Sequence, residues 1–343
     1  MLPKPKRLRI ALNVGLLALA VVAIVWSGVV SPAAFAGVFA NPFTAIAALV
    51  VILGGAQLSV IRWHLLLTWQ GSPLQYGRAW KISYISWFLG TILPGAAGAD
   101  AFRALYVHRE SSAPGLAFIS IALDRLLGLA ALLMLAVGLL AVASLGHQMP
   151  SSLGVSMWIF LCGSLLAVLV LPFAAVVLNR RLLHWMKPLP RIERLVEELD
   201  EAVKLALAVW HRQPIKLLWC LVLGIAGHVF VVTSIVILAD GAGISTPSGP
   251  ELALAAALAI LINQLPLTPG GIGVGELGFA QLCLLMAPGA LAAQYGSVLL
   301  AFRLITLASY TPGAFALLSY PPAEKARSIA VNTSSASDSS RPG

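Results

Sequence analysis

The sequence predicts an all-α polytopic membrane protein, with about six full spans and two opposed re-entrant helical hairpins arranged as an inverted repeat. Three observations predict it. Of the 343 residues, 59% are hydrophobic and only 10% charged, with a mean hydropathy of +0.92, far from the composition of soluble domains. Apolar runs near 10–30, 43–61, 117–143, 155–178, 217–239 and 292–318 are long enough to cross a hydrocarbon core of about 30 Å. Two further apolar regions, near 82–98 and 252–287, are interrupted by proline and glycine. One membrane domain, 1–322, is expected to hold all of these, followed by a disordered tail, 323–343.

Basic residues concentrate in short cytoplasmic loops, and this bias orders the elements. Lys4, Lys6, Arg7 and Arg9 place the N-terminus inside. The run after them, about 21 residues, exceeds the core of a signal peptide, so it is read as an uncleaved first span. The uncharged loop 31–42 is then outside, and Arg62, Arg78 and Lys81 return the chain to the cytoplasm. The run 82–98 ends in ILPGAAG and meets Asp100, Arg103, His108 and Arg109, so it is expected to dip into the membrane and come back. Spans 117–143 and 155–178 lead out and in again, to an insert, 180–216, with eight Lys or Arg against five Asp or Glu. Span 217–239 leads outward, and Lys325, Arg327 and Arg341 put the end of span 292–318 inside. The region 252–287 therefore begins and ends outside, and its PLTPGGIGVGE is the tip of a second hairpin entered from the opposite face.

The two hairpins share a pattern. Each turns at Leu-Pro followed by glycines, in LPGAAGAD and LPLTPGGIGVGE, and an acid stands five positions after a glycine, Gly95 to Asp100 and Gly271 to Glu276. ALDRLLGLA and LAFRLITLA, in the spans that follow, superimpose Arg125 on Arg303. Inverted repeats with broken helices are a common plan of secondary transporters.

The chemistry resides in a few polar residues. Non-helical backbone at membrane depth is tolerated only where protein or a wet cavity satisfies it. The amides of Gly270, Gly271 and Gly273 are candidates for an anion-receiving nest, against a plain packing turn. An isolated arginine in lipid costs at least ~2.5 kcal/mol, so Arg125 and Arg303 should face a polar path or salt bridges, with snorkelling the remaining alternative. Asp124 is not expected to pair with its neighbour Arg125 and should meet another helix. Asp100 and Arg103, three residues apart, are read as sharing one face at the cytoplasmic mouth, with an ordinary surface pair as the alternative. Glu276 either carries a coupling proton or neutralises Arg303. No catalytic residue, metal site or cofactor is expected; Cys162, Cys220 and Cys283 are isolated, and the histidines lack ligand spacing.

Within the insert, Ile192, Leu195, Val196, Leu199, Val203 and Leu207 recur at helical spacing beside a charged face. The basic NRRLLHWMK upstream suits anionic headgroups, so this segment is read as an interfacial anchor.

In ILPGAAGADAFRALY (92–106), ALDRLLGLA (122–130), PLTPGGIGVGE (266–276) and FRLITLASYTPG (302–313), the chain resembles the bacterial flippase-like family related to the transmembrane domain of lysylphosphatidylglycerol synthase. The resemblance covers most of 43–318. The first hairpin departs from the commoner double glycine before the acid, because Ala99 stands before Asp100. The resemblance implies a multi-pass protein of the bacterial cytoplasmic membrane that handles phospholipids or polyprenyl-phosphate lipids and moves their headgroups. It also implies that Asp100, Arg103, Arg125, Glu276 and Arg303 serve the path. Only 25 residues follow the last expected span, so the soluble aminoacyltransferase domain of full-length synthases is expected to be missing.

The leading function is thus a flippase or transporter for a phosphate-bearing lipid headgroup. No GxxxxGK[ST] motif occurs, so drive by an ion gradient or by downhill exchange is expected. Two other classes stay open: an intramembrane lipid-modifying transferase, and a noncatalytic scaffold that recruits a lipid or cell-envelope enzyme. Nothing calls for a nucleic-acid partner, and the oligomeric state is open.

Overall fold

The computed structural model describes residues 28–71, 74–91, 97–110, 114–145, 154–170, 214–264, 273–288 and 291–319, and their regular structure is entirely helical. In chain order the helices are α1 (Pro32–Val38), α2 (Pro42–Trp69), α3 (Tyr76–Gly90), α4 (Ala97–Glu110), α5 (Pro114–Leu145), α6 (Gly154–Val170), α7 (Pro214–Gly241), α8 (Gly249–Ile262), α9 (Val274–Met286), α10 (Ala292–Ser309) and α11 (Thr311–Leu318). The first expected span lies mostly outside the described residues. So do the end of the span 155–178, most of the insert 180–216, the tail, and both hairpin tips with Gly270 and Gly271.

Proline and local caps set several starts. Asn41 Oδ1 accepts from the Phe43 N–H at 3.0 Å and Pro42 opens α2, where its missing N–H costs nothing. Glu251 reaches back to the Ser248 N–H at 3.0 Å and accepts from the Ser248 hydroxyl at 2.8 Å, which fixes the start of α8. The uncharged segment 31–42 is not a plain loop: Ser31 Oγ accepts from the Ala34 N–H at 3.0 Å and caps α1.

Helix α2, the stretch Ile119–Leu145 of α5, α7, and α10 with α11 are each long and apolar enough to cross a membrane. The last of these breaks at Tyr310, because Pro312 cannot continue the α10 hydrogen-bond ladder. Large apolar side chains point outward: Phe43 is 78% exposed, Ile159 70%, Ile215 70% and Phe315 70%. Arg62, Arg103, Asp124 and Glu276 are buried. This inversion of the soluble pattern is what a hydrocarbon surround demands. The chain is a multi-pass membrane protein.

The interior is organised as two units that exchange partners. The first is α2, the packed pair α3–α4, and α5; the second is α7, the packed pair α8–α9, and α10–α11. Swapping one unit for the other maps the packing onto itself. Helix α4 packs on α5 as α9 packs on α10, while α8 crosses to α5 and α3 crosses to α11. Helix α5 meets α7 as α10 meets α2, and α2 against α7 forms the central seam. There Gly55 lies so close that a Cβ would sit 3.0 Å from the Gly227 carbonyl oxygen and 3.0 Å from Phe230 Cβ. The Gly54-Gly55 pair thus serves internal packing, the close backbone approach that small residues permit in membranes. Helix α8, with Leu254 to Leu258 all buried, is apolar on every side and sits inside the bundle.

Candidate functional site

The polar residues within this apolar bundle come together where the two units interlock. Asp100, in the first turn of α4, pairs with Arg125 Nε of α5. Glu276, in the first turn of α9, accepts from Arg303 Nε of α10 at 2.8 Å and from Arg303 Nη2 at 3.4 Å. The pairs occupy mated positions: an acid at the start of each hairpin's second arm, and an arginine on the following helix. Both carboxylates also sit at helix N-termini, where the macrodipole favours negative charge.

Both arginines then reach the end of α8. Arg125 Nη1 donates to Gln264 Oε1 at 3.3 Å, and Arg303 Nη2 donates to Asn263 Oδ1 at 3.4 Å. Two adjacent amides therefore hold one arginine from each unit. Asn263 is the C-cap of α8, so the negative end of that helix's dipole also faces the cations. Gly275 of α9 makes room for Asn263, since a Cβ there would overlap the amide.

Next to these pairs lies a denser ionic cluster. Asp124 Oδ1 accepts from Arg62 Nε at 2.7 Å, and its Oδ2 accepts from Arg103 Nη1 at 3.1 Å. Arg62 Nη2 donates to the Asp124 carbonyl oxygen at 3.3 Å. The three side chains are 4–9% exposed, so one carboxylate joins α2, α4 and α5 with almost no solvent screening. The Arg103 guanidinium carbon lies 4.7 Å from the Trp63 ring centroid and 5.8 Å from that of Trp87, within cation–π range. Trp63 Nε1 is held in turn by Ser120 Oγ at 3.1 Å. Arg62 fits because α5 and α7 carry glycines beside it. A Cβ on Gly224 would lie 2.9 Å from Arg62 Nη1, and one on Gly128 would lie 3.1 Å from Nη2.

Several expectations change accordingly. Asp100 and Arg103 are not an ordinary surface pair: Asp100 goes to Arg125, and the buried Arg103 turns inward to Asp124 between two tryptophans. Asp124 does meet other helices, at two arginines. Arg62 is not a cytoplasmic flanking charge but an interior one, because α2 continues through Trp63, Leu66 and Leu67 to Trp69. The Gly273 amide is not open to an anion here: at φ +95° it donates to Glu276 Oε2 at 2.8 Å. The first hairpin is longer than 82–98, with arms Tyr76–Gly90 and Ala97–Glu110. Its Ala99 has a counterpart across the pair, since a Cβ on Gly90 would sit 2.8 Å from Ala99 Cβ. Sequence reasoning missed Arg62, Trp63, Asn263 and Gln264. The amide pair in AILINQLPL was visible as the polar break in an apolar run.

Among the described residues no group of His, Cys, Asp and Glu is arranged to hold a metal ion. No curated protein and no solved structure gives a significant match to the chain. The family model described as the lysylphosphatidylglycerol synthase TM region matches residues 10–313, which include every polar residue of this site. That membership relates the protein to membrane lipid modification or transport. By this match over most of its length, the chain belongs to the lysylphosphatidylglycerol synthase TM region family.

Proposed function

We propose that the protein is a lipid flippase or transporter that passes a phosphate-bearing headgroup between its two hairpins while the hydrocarbon tails stay in the bilayer. The observation that carries this reading is the convergence of two mated arginine–carboxylate pairs on the end of α8. Arginine matches a phosphate's geometry and charge, and a carboxylate holds the same donors when no phosphate is present. Exchange of carboxylate for phosphate keeps each guanidinium paired throughout, which avoids the cost of an uncompensated charge in a low-dielectric interior.

The hairpin geometry supports a re-entrant reading. Helix α8, with 14 residues, and α9, with 13, reach only about 20 Å each, short of a hydrocarbon core of about 30 Å. At 15 and 14 residues, α3 and α4 are equally short. The exchanged packing of the units supports opposed entry, and the basic flanks favour a cytoplasmic side for both termini. Glu276, joined to Arg303, is on this account the resting counter-ion, and its release accompanies substrate entry. Substrates are phospholipids or polyprenyl phosphates of a bacterial cytoplasmic membrane, delivered by or to an enzyme of lipid or cell-envelope synthesis.

Anionic lipid selectivity tests the path. Native mass spectrometry of protein extracted from a mixed bilayer is expected to retain phosphatidylglycerol over phosphatidylcholine by about tenfold, and Arg303→Gln combined with Glu276→Gln, which leaves no buried carboxylate unpaired, is expected to erase the preference while the fold is kept. Equal retention of the two lipids by the native protein would count against a phosphate path.

A further inference from the structure

The two units differ at the ends of their first hairpin arms. Superimposing Leu93-Pro94 of the first hairpin on Leu265-Pro266 of the second sets Thr91 against Asn263 and Ile92 against Gln264. In the second hairpin these two positions are amides, and each accepts from an arginine of a different unit. In the first, the Thr91 hydroxyl donates to the Phe88 carbonyl at 2.7 Å, within its own helix, and the other position is an isoleucine. Among the described residues, the mated end of α3 shows no equivalent bridge. Both arginines are tied to one hairpin arm, α8, and Arg125 crosses the boundary between units to reach it.

We infer that Asn263 and Gln264 form a link that couples the two arginine half-sites, so that release of one arginine from its resting partner is felt by the other. This rests on the proposed headgroup path and assigns its regulation. The physical reason is adjacency. Consecutive residues at a helix end cannot move independently, and Asn263 is confined against the Gly275 backbone of α9. A shift of Arg125 that pulls on Gln264 must therefore displace the α8 terminus, and Asn263 moves with it relative to Arg303 and Glu276. The second hairpin becomes the element that reads both halves. Two identical half-sites with no link would open separately and let a headgroup leak; a shared link makes their states interdependent.

A double-mutant cycle decides this. Arg125→Lys, Arg303→Lys and the double variant are made in the native chain, in Gln264→Leu, which removes the acceptor, and in Gln264→Glu, which keeps it. Thermal unfolding in detergent is read first, and then the affinity for dihexanoyl phosphatidylglycerol by tryptophan fluorescence. In the native and Gln264→Glu backgrounds the two substitutions are expected to be non-additive, by at least about fivefold in lipid affinity. In Gln264→Leu they are expected to be additive in both readouts. Additive behaviour in the native chain, or coupling that persists in Gln264→Leu, would overturn the link. Coupling seen in unfolding but absent from lipid affinity would also overturn it, leaving the amides a structural bridge. No lipid binding by the native protein would instead refute the headgroup path, and the unfolding cycle would still decide the link.

Discussion

Asp124→Asn is expected to destabilise the protein by about 3–5 kcal/mol, the loss typical of leaving buried charge without its partner. The substitution is nearly isosteric, so the loss is electrostatic rather than a packing defect. Both carboxylate oxygens are occupied, one by Arg62 Nε at 2.7 Å and the other by Arg103 Nη1 at 3.1 Å. A neutral amide can accept at one oxygen only, and its NH2 group would face a guanidinium. Arg62 and Arg103 would then hold two positive charges with no carboxylate between them, where Asp124 now offsets one. The cluster also ties α2, α4 and α5 together, so its loss should loosen the first unit before the second. Unfolding in detergent followed by size-exclusion chromatography measures the effect. Replacing the whole cluster with apolar side chains (Arg62→Met, Arg103→Met and Asp124→Leu) is expected to recover most of the stability, because no charge then needs a partner. A stable Asp124→Asn protein would mean that the cluster is more solvated than its burial indicates.

Glu276→Ala is the second large effect, expected to cost about 3 kcal/mol and to abolish headgroup transport. Glu276 is fully buried and holds three donors, from Arg303 Nε, Arg303 Nη2 and the Gly273 amide. Its loss leaves Arg303 with the Asn263 amide but without the carboxylate, and it also releases the turn that starts α9. Glu276→Gln separates the two roles. Glutamine can still accept from Gly273 and so keep the helix start, at about a third of the stability cost, while it no longer neutralises Arg303. Transport is expected to fail in both variants and stability to fail mainly in the first, as chemical denaturation and flux measured on the same preparations would show.

Much of this arrangement was legible in the residues. Hydropathy set the four long apolar helices, because length and composition alone decide whether a helix can cross a bilayer. The repeated Leu-Pro turn, the trailing acid and the arginine of the next span marked Asp100, Arg125, Glu276 and Arg303, and the structure joins them as two pairs. What escaped was partner choice across sequence distance. Arg103 stands three residues from Asp100, and that spacing suggested a local pair, whereas Asp124 meets other helices as its position beside Arg125 implied. Packing instead turned Arg103 between Trp63 and Trp87, two rings that no periodicity connects to it. Charge bias reads Arg62 as a flanking charge, but its neighbours Trp63, Leu66 and Leu67 are all buried. Asn263 and Gln264 carry no charge, so the charge pattern does not mark them.

On the proposed function, a phosphate-bearing headgroup crosses the bilayer through the two arginine pairs. Headgroup translocation in proteoliposomes tests it most directly, using purified protein and a panel of phosphatidylglycerol, phosphatidic acid and polyprenyl phosphate, with and without a proton gradient. The native protein is expected to move at least one of these lipids well above protein-free vesicles, and folded Arg303→Ala and Glu276→Gln proteins are expected to move none. Translocation that continues unchanged in both variants, or none by the native protein across the whole panel, would contradict the account.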